Sequence, residues 1–293
     1  MLIFDTINVL VVAWYRLTGG SPMNEALKRY RVIQSAQNPR FKHWLKLKTV
    51  QGRKREGQVL LEGWTLVNDA LKAGLLQEIM ADDEMKLKAL LSSEKGAALN
   101  ASPQASLISP DLARRLAETE SSQGLFGIMA IPNVREWTTD VSAVDLGPFI
   151  LALDALQDPG NVGTLLRSAV AFGVRTVLLG KGTVDPWSGK VLRSGMGAHF
   201  HLRLYQVALE EALPRLRDDG YALYAASPHH GVELETIKKR AKRVLLLGSE
   251  AHGIREEFLE MADQWVRIPM SGAMESLNVA VAGSILLYGM RMP

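Results

Sequence analysis

The second half of the chain alternates short, uniformly apolar runs with helix-like segments, and this alternation limits the possible folds more than any other feature. Five apolar runs have the length of a strand: residues 149–153, 176–179, 221–226, 243–247 and 265–268. Strands without a polar face are typical of a parallel sheet that helices cover on both sides. We therefore predict an α/β fold, with the ligand beyond the carboxyl ends of the strands.

Three loops that follow apolar runs carry polar side chains. In chain order they supply Asn161 and Arg167, then Glu250, then Ser276 and Asn278. Because the carboxyl ends of parallel strands meet at one edge of the sheet, we expect these groups to converge, with Arg167 held near Glu250. The alternative is structural. Arg167 would be a surface side chain with a packed stem, and Ser276 and Asn278 would only cap the last helix.

The last helix is almost entirely apolar, with Leu277, Val279 and Val281 near its start. Ser276 is expected to be its N-cap. Asn278 would then lie inside an apolar helix, where an unpaired amide costs about 1–3 kcal/mol. Asn278 is therefore expected to have specific hydrogen-bond partners.

Several classes of site are absent from the sequence. It contains neither a G-x-G-x-x-G fingerprint after a first strand nor a G-x-x-x-x-G-K-[ST] loop, which disfavours dinucleotide and P-loop enzymes. The lack of cysteine excludes disulfides, thiol catalysis and Cys-ligated zinc. The six histidines form no His-Glu-x-x-His motif, so we predict no dedicated metal site, although Mg²⁺ held by carboxylates stays compatible with the sequence.

Residues 28–55 contain ten Lys and Arg residues and no Asp or Glu, although the net charge of the chain is only +3. Tyr30, Phe41, His43 and Trp44 are interleaved with the cations. Aromatic rings can stack on bases while cations contact phosphates, so we predict an RNA-binding surface, although some of these rings must pack in a core. Its predicted RNA contacts are Arg40, Lys42, Lys46, Lys48, Arg53, Lys54 and Arg55.

The chain divides into two predicted domains after a short extension. Residues 24–135 are predicted to form a small α/β RNA-binding domain, with strands at 58–61, 75–80 and 124–131. A linker is expected near residues 135–141, and residues 142–293 would form the parallel-sheet domain. Residues 1–23 include an apolar run that is too short to span a bilayer, and we expect a dispensable extension and a cytoplasmic protein.

The three polar loops, taken in order, resemble a known family. Asn161, Gly163 and Arg167 fit N-x-G-x-x-x-R, residues 248–253 read G-S-E-x-x-G, and residues 268–279 read I-P-M-x-G-x-x-E-S-L-N-V. These are similar to the three motifs of SpoU/TrmH RNA 2′-O-ribose methyltransferases, in the SPOUT superfamily. Through N-P-R-F-K from Asn38 and L-L-E-G-W from Leu60, the first half resembles the substrate-binding domain that many members carry.

The resemblance implies S-adenosylmethionine as cofactor, bound in a deep trefoil knot, and a homodimer with its site at the subunit interface. It places Gly248, Ile268 and Leu277 at the cofactor. It places the reaction at Asn161, Arg167, Glu250, Ser276 and Asn278. The chain departs from the family where Arg-x-Ser-x-Gly-Ala is common, because Gly195 occupies the Ser position.

The resulting hypothesis is S-adenosylmethionine-dependent 2′-O-methylation of RNA. Arg167 would stabilise the ribose alkoxide electrostatically, since an arginine is normally protonated, and Glu250 would orient it. We expect ribosomal RNA, because an appended substrate domain is more common on the rRNA members of this family. A tRNA 2′-O-methyltransferase and an inactive RNA-binding paralogue are the alternatives.

Overall fold

The computed structural model describes residues 30–92, 103–132, 146–272 and 275–291. The predicted extension, residues 1–23, and the predicted linker, residues 135–141, lie outside the described residues. In the described part of the chain, no helix is both long and apolar enough to cross a bilayer.

The first half forms a five-stranded mixed sheet with helices. Its strand order is β1-β4-β3-β5-β2, with β1, β4 and β3 parallel to one another and β5 antiparallel to both of its neighbours. In chain order, its elements are β1 (Arg31–Ile33), α1 (Pro39–Lys46), α2 (Val50–Glu56), β2 (Gln58–Glu62), α3 (Trp64–Lys72), β3 (Leu76–Ala81), α4 (Glu84–Leu91), β4 (Gln104–Ile108), α5 (Pro110–Leu116) and β5 (Leu125–Ala130).

The basic segment, residues 28–55, is described from residue 30, and that part contains β1, α1 and α2, none of which was predicted. Asn38 caps α1 by accepting from Arg40 N at 2.9 Å, with Pro39 in the first turn. Thr49 caps α2 by accepting from Gly52 N at 3.1 Å. Phe41 and Trp44 are fully buried, so these two rings form core rather than a base-stacking surface.

The second half is a seven-stranded sheet whose strands are all parallel, in the order β10-β12-β9-β11-β6-β7-β8. This arrangement confirms the predicted α/β class. In chain order, its elements are β6 (Phe149–Asp154), α6 (Pro159–Ala171), β7 (Thr176–Leu179), α7 (Gly189–Gly195), β8 (Arg203–Gln206), α8 (Leu209–Asp218), β9 (Ala222–Ala226), β10 (Val232–Glu233), β11 (Arg243–Gly248), α9 (Glu256–Met261), β12 (Gln264–Arg267) and α10 (Val279–Met290).

Helices cover both faces of this sheet, and successive residues of β6 show it. Leu151 and Leu153 belong to the cluster that includes Leu165 of α6, whereas Ile150 and Ala152 belong to the cluster that includes the apolar residues of α8 and α9. Side chains alternate across a strand, so a strand buried on both faces is apolar at every position. The uniformly apolar runs therefore have the physical origin that was predicted.

Helix α6 begins at Pro159, five residues before Thr164, where the apolar pattern alone would start it. Asp158 is its N-cap and accepts from Asn161 N at 2.8 Å, while Pro159 occupies the first turn. The apolar pattern alone starts later because the first turn is polar. Asn161 consequently belongs to the first turn of the helix, and not to the preceding loop.

Candidate active site

A cavity of about 540 Å³ opens at the carboxyl ends of β9, β11 and β12. Gly248, Ile268 and Leu277, which the family resemblance placed at the cofactor, all line it. Glu250, Ser276 and Asn278 lie on the same walls. The volume is within the range of sites that hold a small molecule.

The loop after β11 closes tightly on itself and presents backbone to the cavity. Ser249 and Gly253 exchange two backbone hydrogen bonds, of 3.0 and 2.9 Å. A Cβ at Gly248 would lie 2.1 Å from the carbonyl carbon of Gly253, so only glycine fits there. Asp154, which is 1% exposed, anchors the far end of the loop by accepting from Arg255 N at 3.1 Å and Arg255 Nε at 3.0 Å.

Side chains from the three predicted loops form one hydrogen-bonded chain. Asn161 Nδ2 donates to Glu250 Oε1 at 2.7 Å. Asn278 Nδ2 donates to Asn161 Oδ1 at 3.1 Å. Glu250 and Asn278, which follow Asn161 by 89 and 117 positions in the sequence, thus meet at its side chain. The structure therefore brings Asn161, Glu250 and Asn278 together at the edge of the cavity.

Asn278, and not Ser276, caps the last helix. Asn278 Oδ1 accepts from Ala280 N at 2.9 Å and Val281 N at 3.2 Å, and α10 begins at Val279. The prediction that Ser276 is the N-cap was wrong, because the helix starts two residues later than expected. The same finding gives Asn278 the hydrogen-bond partners that it was expected to have. Its side-chain oxygen accepts from the first backbone amides of the helix, and its side-chain nitrogen donates to Asn161. Ser276 is exposed at the cavity wall.

Arg167 is exposed on α6 and does not pair with Glu250. Within the residues that the structure describes, its guanidinium makes no ion pair or hydrogen bond, while Glu250 accepts from Asn161 instead. Six residues separate Asn161 from Arg167, which turns Arg167 about 120° away around the helix. The expectation that Arg167 lies near Glu250 was therefore wrong for a single chain. All five N–H donors of Arg167 are available to a ligand or to another chain.

Sequence reasoning missed one wall of the cavity. Ala226, Ser227, Pro228 and His229, at and after the end of β9, also line it. Ser227 Oγ accepts from the backbone of His229 and His230, at 3.4 and 3.1 Å. The signal was present, because a polar Ser-Pro-His-His-Gly segment directly follows the apolar run 221–226.

The departure at Gly195 has a packing consequence. A Cβ at Gly195 would lie 2.8 Å from Cε1 of His199, which is 2% exposed. His199 Nε2 lies 2.8 Å from Pro186 O, and burial lowers the pKa of His199 from 6.5 to about 4, so the ring is neutral near pH 7. The chain has its serine one residue before the position where the family pattern has one, at Ser194. Ser194 Oγ donates to Pro159 O at 3.1 Å, beside the start of α6.

The predicted RNA-binding cations separate into two groups. Lys42, Lys46 and Lys54 are exposed and make no ion pair or side-chain hydrogen bond within the described ranges. The other four are engaged. Arg40 pairs with Glu78, Lys48 donates to the carbonyls of Arg115 and Ala117, Arg53 pairs with Asp185, and Arg55 pairs with Glu56.

Arg53 differs most from the prediction, since it is 3% exposed and its Nε, Nη1 and Nη2 atoms all donate to protein acceptors. An arginine in this state cannot contact RNA without giving up its ion pair with Asp185. Arg53 is therefore a structural residue in this fold, and the predicted RNA contacts that stay exposed are Lys42, Lys46, Lys54 and Arg55.

Two family models match the chain. The SpoU rRNA Methylase family matches residues 148–288, and the MRM3-like substrate binding domain matches residues 38–127. The 23S rRNA (guanosine(2553)-2′-O)-methyltransferase RlmP of Bacillus subtilis is 35% identical over 260 residues, covering 88% of this chain and 98% of that protein. The human mitochondrial rRNA methyltransferase 3 is 30% identical over 290 residues, covering 80% of this chain and 68% of that protein.

Solved structures agree with these sequence matches. An RNA 2′-O ribose methyltransferase is 30% identical with a TM-score of 0.72, covering 88% of this chain and 97% of that one. An AdoMet-bound rRNA methyltransferase from Sinorhizobium meliloti is 26% identical with a TM-score of 0.75, covering 89% of this chain and 97% of that one.

Proposed function

The chain belongs to the SpoU rRNA methylase family and is an S-adenosylmethionine-dependent RNA 2′-O-methyltransferase, and from this premise we propose which of its residues perform the reaction. The observation that carries the proposal is the chain Glu250–Asn161–Asn278 at the edge of the 540 Å³ cavity. It joins all three family motifs at one place where a ligand fits.

The cavity suits the cofactor. Gly248 leaves no room for a side chain, so the backbone after β11 can approach an adenosine closely. Ile268 and Leu277 supply apolar contacts on the opposite loop. When bound there, S-adenosylmethionine would supply an electrophilic methyl group. We assign Gly248, Ile268 and Leu277 to holding it.

The exposed polar edge is assigned to the ribose. Hydrogen bonds fix the side chains of Asn278, Asn161 and Glu250 beside the cavity. The polar atoms of these side chains are therefore preorganised to bind a substrate. Ser276 offers a hydroxyl on the same wall. Arg167 places positive charge beside the 2′-oxygen, whose proton passes to solvent water, and beside the neighbouring phosphate.

A homodimer accounts for the position of Arg167. Val281, Ile285 and Tyr288 of α10 are 50%, 37% and 53% exposed and follow one another at helical spacing, so they form an apolar stripe on the surface. Arg167 directly precedes Ser168, whose hydroxyl lies 2.7 Å from that of Ser284 in α10. A second copy packed on this stripe would receive Arg167 at the interface.

The target is proposed to be a ribose of large-subunit ribosomal RNA. The Bacillus subtilis relative is named for a guanosine of 23S rRNA and matches over 98% of its own length, including the region of the substrate-binding domain. No observation favours a tRNA substrate or an inactive paralogue over this target. The trefoil knot and the cytoplasmic location stay predictions.

The test is nucleotide-resolution mapping of 2′-O-methyl groups in total RNA from cells with and without the gene. One 23S rRNA position should lose its methyl group without the gene and regain it when the gene is restored. Loss at a tRNA position would overturn the target, and an unchanged map would overturn the activity.

A further inference from the structure

The edge strand β2 of the first sheet lies along the second domain, and an ion pair between the domains flanks each of its ends. At the start of β2, Arg53 Nε and Nη2 donate to Asp185 Oδ2 at 3.1 and 2.6 Å. Arg53 Nη1 donates to Leu47 O at 3.0 Å and Lys48 O at 3.1 Å, at the end of α1. Arg53 therefore fastens the helices of the basic segment to the second domain.

At the other end of β2, Arg193 of α7 reaches back to the first domain. Arg193 Nη1 lies 2.8 Å from Glu118 Oε2 and 3.9 Å from Oε2 of Glu62, the last residue of β2. Glu62 also accepts from Glu118 N at 2.9 Å and Thr119 Oγ1 at 2.6 Å. Arg193 thus joins a hydrogen-bonded group of the first domain.

Apolar packing fills the space between the two ion pairs. Val59 and Leu61 of β2 are buried in the same cluster as Val191 and Leu192 of α7. A Cβ at Gly189 would lie 1.9 Å from Glu118 Oε2, so the start of α7 approaches the first domain as closely as its backbone allows. Five residues of strand span about 13 Å from first to last Cα. Ion pairs beyond both ends of a strand of that length resist rotation as well as sliding of one domain on the other.

Helix α7, which holds the first domain through Arg193, also packs against α6 next to the candidate active site. Ser194 Oγ donates to Pro159 O at 3.1 Å, two residues before Asn161. A Cβ at Gly163 would lie 1.9 Å from Ser194 Oγ, so α7 rests directly on α6. Any movement of the first domain on α7 would therefore change its distance from Asn161.

We propose that Asp185 and Arg193 are positioning residues that hold the RNA-binding domain at one distance and angle from the methyl-transfer site, and so determine which nucleotide is methylated. The proposal rests on the proposed function, since it assigns the first domain to RNA and the second to chemistry. The exposed cations Lys42, Lys46 and Lys54 lie on the two helices that Arg53 fastens, so their distance to the cavity is fixed with them.

The first test measures the geometry directly. The chain has no cysteine, so Gln51→Cys in α2 and Arg217→Cys in α8, both exposed, give a pair of unique spin-label sites. Labelled chains are mixed with an excess of unlabelled chain, so that a homodimer carries one labelled protomer at most. Pulsed electron resonance should then find one narrow distance distribution in the parent and a broadened one in Asp185→Asn/Arg193→Met. Arg193→Lys, which keeps the charge, should stay narrow. A narrow distribution in the double variant would overturn the proposal.

A matched control breaks an ion pair that does not join the domains. Glu233→Gln removes the Arg267–Glu233 pair, at 2.6 Å within the second domain, and should leave the distribution narrow. Broadening in this control would overturn the assignment to the domain interface. Melting curves identify variants that fail to fold, and Asp185→Asn alone, which conserves shape, then carries the test.

The second test measures the consequence for the reaction. Asp185→Asn/Arg193→Met should lower kcat/KM at the target nucleotide at least tenfold, bind S-adenosylmethionine within twofold of the parent, and methylate neighbouring nucleotides. Full-rate methylation at the original nucleotide alone would overturn the proposal. If the parent itself transfers no methyl group, the proposed function fails, and the distance measurement still decides the domain geometry.

Discussion

Asn278 Nδ2 donates to Asn161 Oδ1 across 3.1 Å, while Asn278 Oδ1 accepts from the first-turn amides of α10. One amide therefore performs two tasks with its two ends. Its oxygen holds the helix start, and its nitrogen holds the side chain that reaches Glu250. The two tasks can be separated by mutation.

Asn278→Asp should keep the cap and lose the donor to Asn161. We expect thermal stability near that of the parent and a kcat at least tenfold lower, because a carboxylate still accepts from Ala280 N and Val281 N but cannot donate. Asn278→Ala should lose both, with a stability cost of about 1 kcal/mol for the missing cap. Thermal melts and single-turnover methylation measure the two effects. Equal activity of parent and Asn278→Asp would contradict the assigned link.

Ile285→Glu should separate the proposed homodimer. The side chain is 37% exposed in the apolar stripe of α10, and a carboxylate buried there would be costly. Sedimentation velocity should show a dimer for the parent and a monomer for the variant, with methylation lost in parallel. Met85→Glu, at an exposed apolar position on α4 of the first domain, is the control and should stay dimeric. A monomeric, active parent would refute the dimer.

The lysines left free by the fold should govern the salt dependence of RNA binding. Replacing Lys42, Lys46 and Lys54 by Ala should lower the slope of log K against log salt by about 2, at roughly 0.7 per phosphate contact with single strands. Arg217→Ala on the exposed face of α8 is the control and should leave the slope unchanged. Fluorescence anisotropy across a salt series measures it. An unchanged slope in the triple variant would show that RNA binds elsewhere.

His199 predicts a loss of stability in mild acid. Its pKa is about 4 when folded and near 6.5 when unfolded, so the unfolded chain binds the additional proton between those values. Stability should therefore fall as pH drops through this window, by on the order of 3 kcal/mol in total. Denaturant unfolding at pH 7 and 4.5 should show a smaller fall in His199→Gln than in the parent. Equal falls would contradict a buried, neutral His199.

Much of the site could be predicted because strand ends in a parallel sheet must meet at one edge. The Asn161, Glu250 and Asn278 side chains touch, as that rule requires, and Gly248, Ile268 and Leu277, which the family resemblance supplied, line the cavity. The choice between Ser276 and Asn278 as cap was not predictable. Both residue types cap well, and the backbone path before α10 decides which one does.

The sequence also could not show which basic side chains pair with residues that are distant along the chain. Arg53 and Lys54 are adjacent and equally basic, yet one is buried against Asp185, 132 residues away, and the other is exposed. Local sequence carries no signal for that difference. Similarly, the almost entirely apolar α10 buries Leu286, Leu287 and Met290, whereas its stripe of Val281, Ile285 and Tyr288 is exposed in the single chain, and the composition alone does not separate the two faces.

The most direct test of the central claim compares Arg167→Ala with the parent in transfer of a labelled methyl group from S-adenosylmethionine to 23S rRNA, alongside calorimetry of cofactor binding. Arg167 is not among the described residues that line the cavity, so we predict a loss of transfer of at least a hundredfold and a cofactor Kd within twofold of the parent. Retained turnover in Arg167→Ala, at the same nucleotide and rate, would contradict the account.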